Sequence, residues 1–192
     1  MSAWIRMIQP MDADGKLRET YDKVKSPHGT IDNVMKVHSL QPKTMLGHLE
    51  LYKSILHNPD MTLPVWFLEV VASYTSIINN CNYSLTHHSN NARHLIADDE
   101  RADRILAALK YRNPAAEFTG KELALLNYAA RLTEDVRNIS EADFRQAKDA
   151  GCSDSEILEV NQVVAYFSYS NRVLNGLGVT TDGDVVGFYS NA

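Results

Sequence analysis

Apolar residues recur every three to four positions along most of the chain, and this helical periodicity restricts its fold more than any other feature. Between residues 42 and 57, for example, Met45, Leu49, Tyr52 and Leu56 fall on one helical face. Runs of alternating β-branched residues, which are typical of strands, are almost absent. Glycines and prolines fall mostly between the apolar segments, where they end helices. The pattern therefore predicts an all-α fold.

Capping and breaker residues set the limits of these helices. Ser153 followed by Glu156 has the spacing of a capping box, and so does Thr119 followed by Glu122. The Asn79-Asn80 pair is predicted to break a long apolar segment, because asparagine is unfavourable inside helices and favourable at their ends. Together these signals predict helices over residues 15–25, 31–39, 42–57, 63–78, 81–96, 98–109, 119–132, 140–150 and 153–174.

Composition and charge narrow the classes of protein to which the chain can belong. Hydrophobic residues make up 44% and charged residues 22% of its 192 residues, and the formal net charge is -5. This balance is typical of globular proteins, and the lack of a lysine and arginine cluster argues against a nucleic-acid partner. The longest strongly apolar run, residues 65–72, is too short to cross a membrane, and no signal-peptide pattern precedes it. We therefore predict a soluble, cytoplasmic protein.

The segment NNCNYSLTHHSNNARH gathers most of the side chains that are suited to catalysis. Cys81, Ser84 and His88 follow one another at helical spacing, so a helix places all three on one face. His87 is displaced by about 100° on the same helix. If Asn80 caps this helix, Cys81 lies in its first turn, where the positive end of the helix dipole lowers the pKa of a thiol. The arrangement favours a reactive cysteine.

Glu69 is the second candidate for chemistry, because it interrupts the apolar sequence PVWFLEVVASY. Burial among apolar side chains raises the pKa of a carboxyl group and suits it to carry protons. A turn at the Asn79-Asn80 pair would fold the second helix back and bring Glu69 toward Cys81. Two simpler interpretations stay open. Cys81 can be a buried packing residue, or Cys81, Glu69 and His88 can hold zinc, although their spacing matches no familiar structural zinc motif.

These residues resemble the motif of the alkylhydroperoxidase-D (AhpD-like), or carboxymuconolactone decarboxylase, superfamily, and in particular its peroxidase-related branch. The family pattern is a Glu, then a C-x-x-C twelve positions later, then a His four positions after the second Cys. Glu69, Cys81 and His88 match the Glu, the first Cys and the His. Residues 34–63, with their HSLQP segment, and residues 123–179 also fit the branch, so the resemblance covers most of the chain.

The resemblance implies an all-helical fold around a helical hairpin that carries the motif, usually assembled as a trimer or hexamer. We expect no cofactor and no metal. It divides this chain into an N-terminal helical extension at residues 1–60, an AhpD-like domain at residues 61–180 and a tail at residues 181–192. In the redox members, two cysteines cycle between dithiol and disulfide while they reduce hydroperoxides. The Glu and the His of the motif relay protons in that cycle.

Ser84 departs from the family pattern, because it stands where the second cysteine would be. A serine cannot form a disulfide, so a cycle between Cys81 and Ser84 is excluded. In one mechanism that stays open, Cys81 reacts with a hydroperoxide to give a sulfenic acid, which an external thiol then reduces. In another, Cys152 or a cysteine of a second subunit resolves the sulfenic acid.

A third mechanism leaves redox chemistry aside. Glu69 and His88 would then be general acid and base for a cofactor-free decarboxylase or lyase that acts on a small organic acid. Ser84 and Tyr83, with His87 beside them, would orient the substrate. A catalytically inactive, oligomeric binding protein is the non-enzymatic alternative. The leading hypothesis is a hydroperoxide-reducing oxidoreductase that uses Cys81 with a Glu and His proton relay.

Overall fold

The computed structural model describes residues 2–189, and within that range the chain forms α-helices and no β-strand. In chain order the helices are α1 (Gly15–Lys23), α2 (Asn33–Lys36), α3 (Pro42–Leu56), α4 (Val65–Ile78), α5 (Asn82–Ile96), α6 (Asp99–Lys110), α7 (Gly120–Glu134), α8 (Glu141–Asp149) and α9 (Asp154–Gly176). Short 3-10 turns occupy Pro10–Asp12, Pro114–Ala116 and Val136–Asn138. The all-α prediction is confirmed, and each predicted helix has a counterpart within a few residues.

Helix α4 forms the centre of the main core. Its residues 67–76 are all buried, because α5, α7 and α9 pack around it. A helix whose apolar residues point to all sides must be enclosed in this way. Among the residues it buries, Phe67 and Leu68 are completely inaccessible to solvent. A second, smaller core lies between α1 and α3, where Tyr21 and Met45 pack together.

The α4–α5 hairpin carries the sequence motif. Helix α4 ends at Ile78, and Asn80 takes up a left-handed φ of 51°, a conformation that asparagine tolerates better than most residues. Helix α5 then runs back along α4, and no other pair of helices has so extensive an interface. The predicted break at Asn79-Asn80 is confirmed, and the turn places the two halves of the motif face to face.

Helix ends agree with the sequence signals at some positions and differ at others. The Ser153 and Glu156 capping box forms, with Glu156 N donating to Ser153 Oγ at 3.1 Å and Ser153 N donating to Glu156 Oε2 at 2.6 Å. The capping box predicted at Thr119 is wrong, because the Thr119 side chain makes no capping hydrogen bond. Gly120, the first residue of α7, has a left-handed φ of 54°, which differs from the right-handed first turn that a capping box requires.

Residues 179–189, here called the C-terminal segment, contain no helix, but they are tied to α2 and α5. Asn33 N donates to Asp184 Oδ1 at 2.9 Å, and Asn33 Nδ2 donates to the carbonyl of Thr180 at 2.9 Å. Gly187 N donates to His87 Nδ1 at 3.3 Å. The segment therefore closes over one side of the hairpin.

None of the helices between residues 2 and 189 has the length and apolarity that a bilayer span requires.

Candidate active site

A buried carboxyl–imidazole pair joins the two helices of the hairpin. Glu69 on α4 is completely inaccessible to solvent, and its Oε2 lies 2.6 Å from Nδ1 of His88 on α5. Asn91, three residues after His88 on the same helical face, donates from Nδ2 to Glu69 Oε1 at 3.1 Å. Both carboxyl oxygens are thus hydrogen-bonded, as a buried carboxyl group requires.

Two further parts of the chain, the C-terminal segment and α9, hold this pair in place. Phe188 in the C-terminal segment donates its backbone N–H to Asn91 Oδ1 at 2.6 Å. The ring of Phe167 on α9 meets the His88 ring edge-on, with 4.6 Å between the ring centroids. With Nδ1 of His88 engaged by Glu69, the second ring nitrogen is the one available for proton transfer.

Cys81 is the N-cap residue of α5, directly before its first turn, and it is 1% exposed. Its Sγ donates to Ser84 Oγ at 3.6 Å. Burial raises the pKa of the Cys81 thiol, while hydrogen bonds from Ser84 and Tyr83 act in the opposite direction. The expectation of a lowered pKa was therefore wrong for the resting protein. Apolar neighbours contributed by distant segments, including Leu174 and Val179, surround the thiol and outweigh the helix dipole.

A cavity of about 110 Å³ lies between α3, α5, α9 and the C-terminal segment. Polar and aromatic side chains make up much of its lining, including His48, Tyr52, Ser84, His88, Asn91 and Tyr166. Cys81 does not line this cavity, although Ser84 does. Ser84 and His88 therefore share a face as the spacing predicted, and Ser84 connects the buried thiol to that face.

Tyr83 and His87 also line the cavity, but their polar atoms hold the C-terminal segment. The Tyr83 hydroxyl donates to Asp184 Oδ2 at 2.5 Å and accepts from Val34 N at 3.1 Å. The His87 ring stacks on the Tyr83 ring at a centroid distance of 4.8 Å, and its Nδ1 accepts from Gly187 N. Burial lowers the pKa of His87 to about 4, so the ring is neutral at neutral pH.

Several residues at the cavity carried no recognisable sequence signal. His48 Nε2 lies 3.0 Å from the Tyr166 hydroxyl, and burial lowers the pKa of His48 to about 3, so this imidazole is neutral at neutral pH. Tyr52 on α3 approaches His88 with 6.2 Å between ring centroids. Tyr52 and Tyr166 belong to ordinary apolar stripes in the sequence. Asn91 offered one weak signal, its position one turn after His88.

Cys152 lies apart from this site. It is 3% exposed in the main core, whereas Cys81 belongs to a different apolar cluster, and both are free thiols. Burial raises the pKa of Cys152, and its Sγ donates to the carbonyl of Lys121 at 3.8 Å.

Across the described residues no group of three or more His, Cys, Asp or Glu side chains is placed to hold a metal ion. Glu69, Cys81 and His88 thus do not form the alternative zinc site.

Asp32 at the cavity wall provides a test of stability against pH. Its Oδ1 is buried without a hydrogen-bond partner, and burial, followed by the charge of Asp184, raises its pKa to about 6. Because the pKa is raised by folding, the folded state loses stability as pH rises from about 4 to about 6. We expect Asp32→Asn to stabilise the protein by about 2 kcal/mol at pH 8 and by much less at pH 4.

Urea unfolding of both proteins at the two pH values measures this difference. Asp60→Asn, at an exposed aspartate, is the matched control and should change stability little at either pH. Equal stabilisation by Asp32→Asn at pH 4 and pH 8 would contradict the assignment.

No protein-family model and no curated protein sequence matches the chain. Solved structures do match it. An AhpD-core, uncharacterized peroxidase-related protein from Ralstonia eutropha JMP134 is 20% identical, with a TM-score of 0.80 over 96% of this chain and 94% of the other. An uncharacterized peroxidase-related protein from Silicibacter sp. TM1040 is 22% identical, with a TM-score of 0.79 over 95% and 93% of the two chains.

The debrominase Bmp8 is also similar, in a structure of a cysteine-to-alanine variant in complex with 2,3,4-tribromopyrrole. Its identity is 16% and its TM-score 0.74, over 92% of this chain and 90% of the other. These similarities extend over almost the whole chain, and at such identities they establish the fold. The chain has the AhpD-like helical fold, as the resemblance in its sequence implied.

Proposed function

We propose that this AhpD-like chain is an oxidoreductase that reduces small hydroperoxides through Cys81, with the Glu69–His88 pair as its proton relay. The observation that carries the proposal is that His88, paired with the buried Glu69, lines a cavity, and that Ser84 links the thiol to the same cavity. Its fold is shared with peroxidase-related proteins and with a debrominase, which makes an enzymatic role consistent with the site.

Proton transfer would begin at the thiol. Cys81 Sγ–H donates to Ser84 Oγ, and a serine hydroxyl can accept one hydrogen bond while it donates another. Ser84 therefore passes the proton toward the cavity, where His88 acts as the base. Glu69 holds the His88 ring in position and stabilises its positive charge when the proton arrives. This transfer produces the thiolate in spite of the raised resting pKa of Cys81.

The reaction balances with an external thiol as reductant. The Cys81 sulfur attacks one peroxide oxygen, so an S–O bond forms and the O–O bond breaks. The product is a sulfenic acid, and the departing oxygen leaves as an alcohol with the proton taken from the thiol. One external thiol then releases water and forms a mixed disulfide with Cys81. A second external thiol restores Cys81 and leaves as the disulfide of the reductant.

The direct test is to trap the sulfenic acid. The protein is treated with tert-butyl hydroperoxide in the presence of dimedone, and the labelled peptides are identified by mass spectrometry. We expect label on Cys81 in preference to Cys152, which is the internal comparison because it is also buried and its pKa is also raised. Cys81 that stays unmodified at low millimolar hydroperoxide would contradict the proposal.

Ser84→Cys should restore the two-cysteine pattern. The Cys81 Sγ and Ser84 Oγ atoms are 3.6 Å apart, so a small movement brings two sulfur atoms to bonding distance. We expect the variant to form an intramolecular disulfide with hydroperoxide, so that dimedone labelling of Cys81 falls to background. Ser84→Ala, the matched control, removes one hydrogen bond and should slow Cys81 oxidation by about fivefold. Persistent labelling in Ser84→Cys would show that the two positions do not react with each other.

A second candidate function is cofactor-free proton transfer on a small organic acid or lactone. Two observations favour it: Cys81 lines no part of the cavity, and burial raises the pKa of its thiol. His88, by contrast, lines the cavity and is paired with Glu69. This function predicts that Cys81→Ala keeps activity.

Assembly into a trimer or hexamer and a cytoplasmic location stay predictions from the sequence.

A further inference from the structure

In the proposed reduction the hydroperoxide occupies the cavity and meets Cys81 beside Ser84, so a strongly basic alkoxide oxygen is released on the cavity side. That oxygen needs a hydrogen-bond donor as the O–O bond breaks, since a developing negative charge is costly where water is scarce. His88 takes the thiol proton on its second ring nitrogen while Nδ1 stays bound to Glu69. In-line attack by sulfur places the leaving oxygen on the side of the peroxide that faces away from the thiol. A separate neutral donor in the cavity wall would lower the barrier.

Tyr52 is in the right place for such a donor. It lies on α3 and lines the same cavity as His88, with 6.2 Å between their ring centroids and an angle of 64° between the ring planes. Neighbouring rings enclose it, at 4.9 Å for His57 and 6.0 Å for Tyr166. The phenol is therefore fixed beside the base, with a single bond rotation left to aim its hydrogen.

The hydroxyl of Tyr52 differs from the other tyrosine hydroxyls of this region. Tyr83 donates to Asp184, Tyr166 is paired with His48, and Tyr189 lies 3.3 Å from His57 Nδ1. Within residues 2–189, nothing forms a hydrogen bond with the Tyr52 hydroxyl. Polar groups that are shielded from bulk water normally have partners. A free donor at a cavity beside an acid–base pair is available for a substrate.

The charge state of Tyr52 suits donation. Burial, and after it the negative charge of Glu69, raises the pKa of Tyr52 well above its usual range. The phenol is thus protonated at physiological pH. Water is too weak a base to remove the phenolic proton, whereas an alkoxide is basic enough to accept it.

We propose that Tyr52 is a catalytic residue that donates its phenolic proton to the oxygen leaving from the hydroperoxide. As the O–O bond breaks, the Tyr52 O–H bond breaks and the O–H bond of the alcohol forms. The phenolate then recovers the proton that His88 removed from Cys81. The net transfer is one proton from thiol to alcohol, and Tyr52 and His88 return to their starting states. This inference rests on the proposed reduction at Cys81.

The inference gives residues 1–60 a role in the chemistry. Helix α3 lies in this N-terminal part of the chain, and it places Tyr52 against the cavity by packing on α9 and α4. The hairpin supplies the nucleophile and the base, while α3 supplies the acid.

The test is Tyr52→Phe, which removes the hydroxyl alone, with two oxidants that differ in the basicity of the leaving oxygen. tert-Butyl hydroperoxide releases a strongly basic alkoxide, whereas peroxyacetic acid releases weakly basic acetate, which needs no acid. The rate of Cys81 oxidation is followed in a single turnover. We expect a loss of roughly 100-fold with tert-butyl hydroperoxide and little change with peroxyacetic acid.

Equal slowing with both oxidants would overturn the inference, because it would show that Tyr52 only shapes the site. Unchanged rates with both would overturn it as well. If neither oxidant modifies Cys81 in the unaltered protein, the proposed function itself fails and the inference falls with it. These results are distinguishable, because only the last one concerns the protein without substitution.

Tyr128→Phe is the matched control. The hydroxyl of Tyr128 accepts a hydrogen bond from Asn161 Nδ2 at 2.8 Å and lies outside the cavity. This variant should oxidise at the rate of the unaltered protein with both oxidants. Thermal unfolding of Tyr52→Phe should be unchanged within error, because the Tyr52 hydroxyl makes no hydrogen bond with any of residues 2–189.

Discussion

Cys81→Ala is expected to abolish hydroperoxide-dependent consumption of an external thiol, with a loss of more than about 10³-fold. The proposed chemistry has one nucleophile, and Ser84 cannot replace it because a hydroxyl is far less acidic than a thiol. A continuous assay that couples thiol oxidation to hydroperoxide consumption measures the loss. Alanine removes a single sulfur atom from a small apolar cluster, so we expect the variant to remain folded.

Cys152→Ala is the control for this prediction. Cys152 is the second free thiol and lies in the main core away from the cavity, so its removal should leave turnover unchanged. A loss of turnover in folded Cys152→Ala would identify it as the resolving cysteine. The proton-transfer function would be favoured by a different pair of results. Neither the unaltered protein nor Cys81→Ala would turn over hydroperoxide, and Cys81→Ala would act on small organic acids or lactones.

Glu69→Gln is expected to lower turnover by about 10²-fold or more. Glutamine keeps the size of the side chain, and its amide oxygen can still accept from Asn91 Nδ2. It carries no negative charge, so it cannot stabilise a protonated His88 ring. The limiting step should become proton removal from Cys81, because His88 is a weaker base without the charge of Glu69. The rate should then rise more steeply with pH as hydroxide takes over part of the role of His88.

Glu159→Gln is the matched control, because Glu159 is a second buried glutamate, 7% exposed, outside the cavity. Its carboxyl oxygens accept from Thr62 N at 2.7 Å and Leu63 N at 2.8 Å, just before α4. This variant should lose about 1–2 kcal/mol of stability while it keeps turnover. Glu69→Gln could behave in the same way, with lower stability and unchanged turnover. Glu69 would then be a structural link between α4 and α5 and not part of a proton relay.

The helices and their limits could be predicted because the signals that set them are local. Ser153 and Glu156 satisfy each other's backbone groups whatever packs around them, and Asn80 tolerates a left-handed φ by its own chemistry. Thr119 is a position at which such local reasoning gave a wrong prediction. Its capping sequence is intact, but the conformation of the glycine after it prevents the hydrogen bond.

The candidate site could be predicted in part. Glu69 was recognisable because a carboxyl group in an apolar run is unusual. The predicted reversal at Asn79-Asn80 forms, but the hydrogen bonds of the Glu69 carboxyl group go to His88 and Asn91, whereas the sequence had suggested an approach to Cys81. The state of Cys81 was not predictable in the same way. Its place next to a helix N-terminus suggested a low pKa, but apolar side chains from α9 and beyond bury it and raise that pKa.

By itself, the sequence determined the all-α class, most of the helix limits and the reversal within the motif, because each depends on neighbours within a turn or two. The choice of Glu69, Cys81 and His88 as site residues came from their resemblance to a family motif and stays a prediction. Only the tertiary structure decided that the Tyr52 ring lies beside the His88 ring, and that the Tyr52 hydroxyl has no hydrogen-bond partner within residues 2–189. It also decided that Ser84 connects Cys81 to the cavity and that the C-terminal segment closes over the hairpin. Burial and hydrogen bonding between residues far apart in the chain depend on how helices pack, and a local pattern does not record that packing.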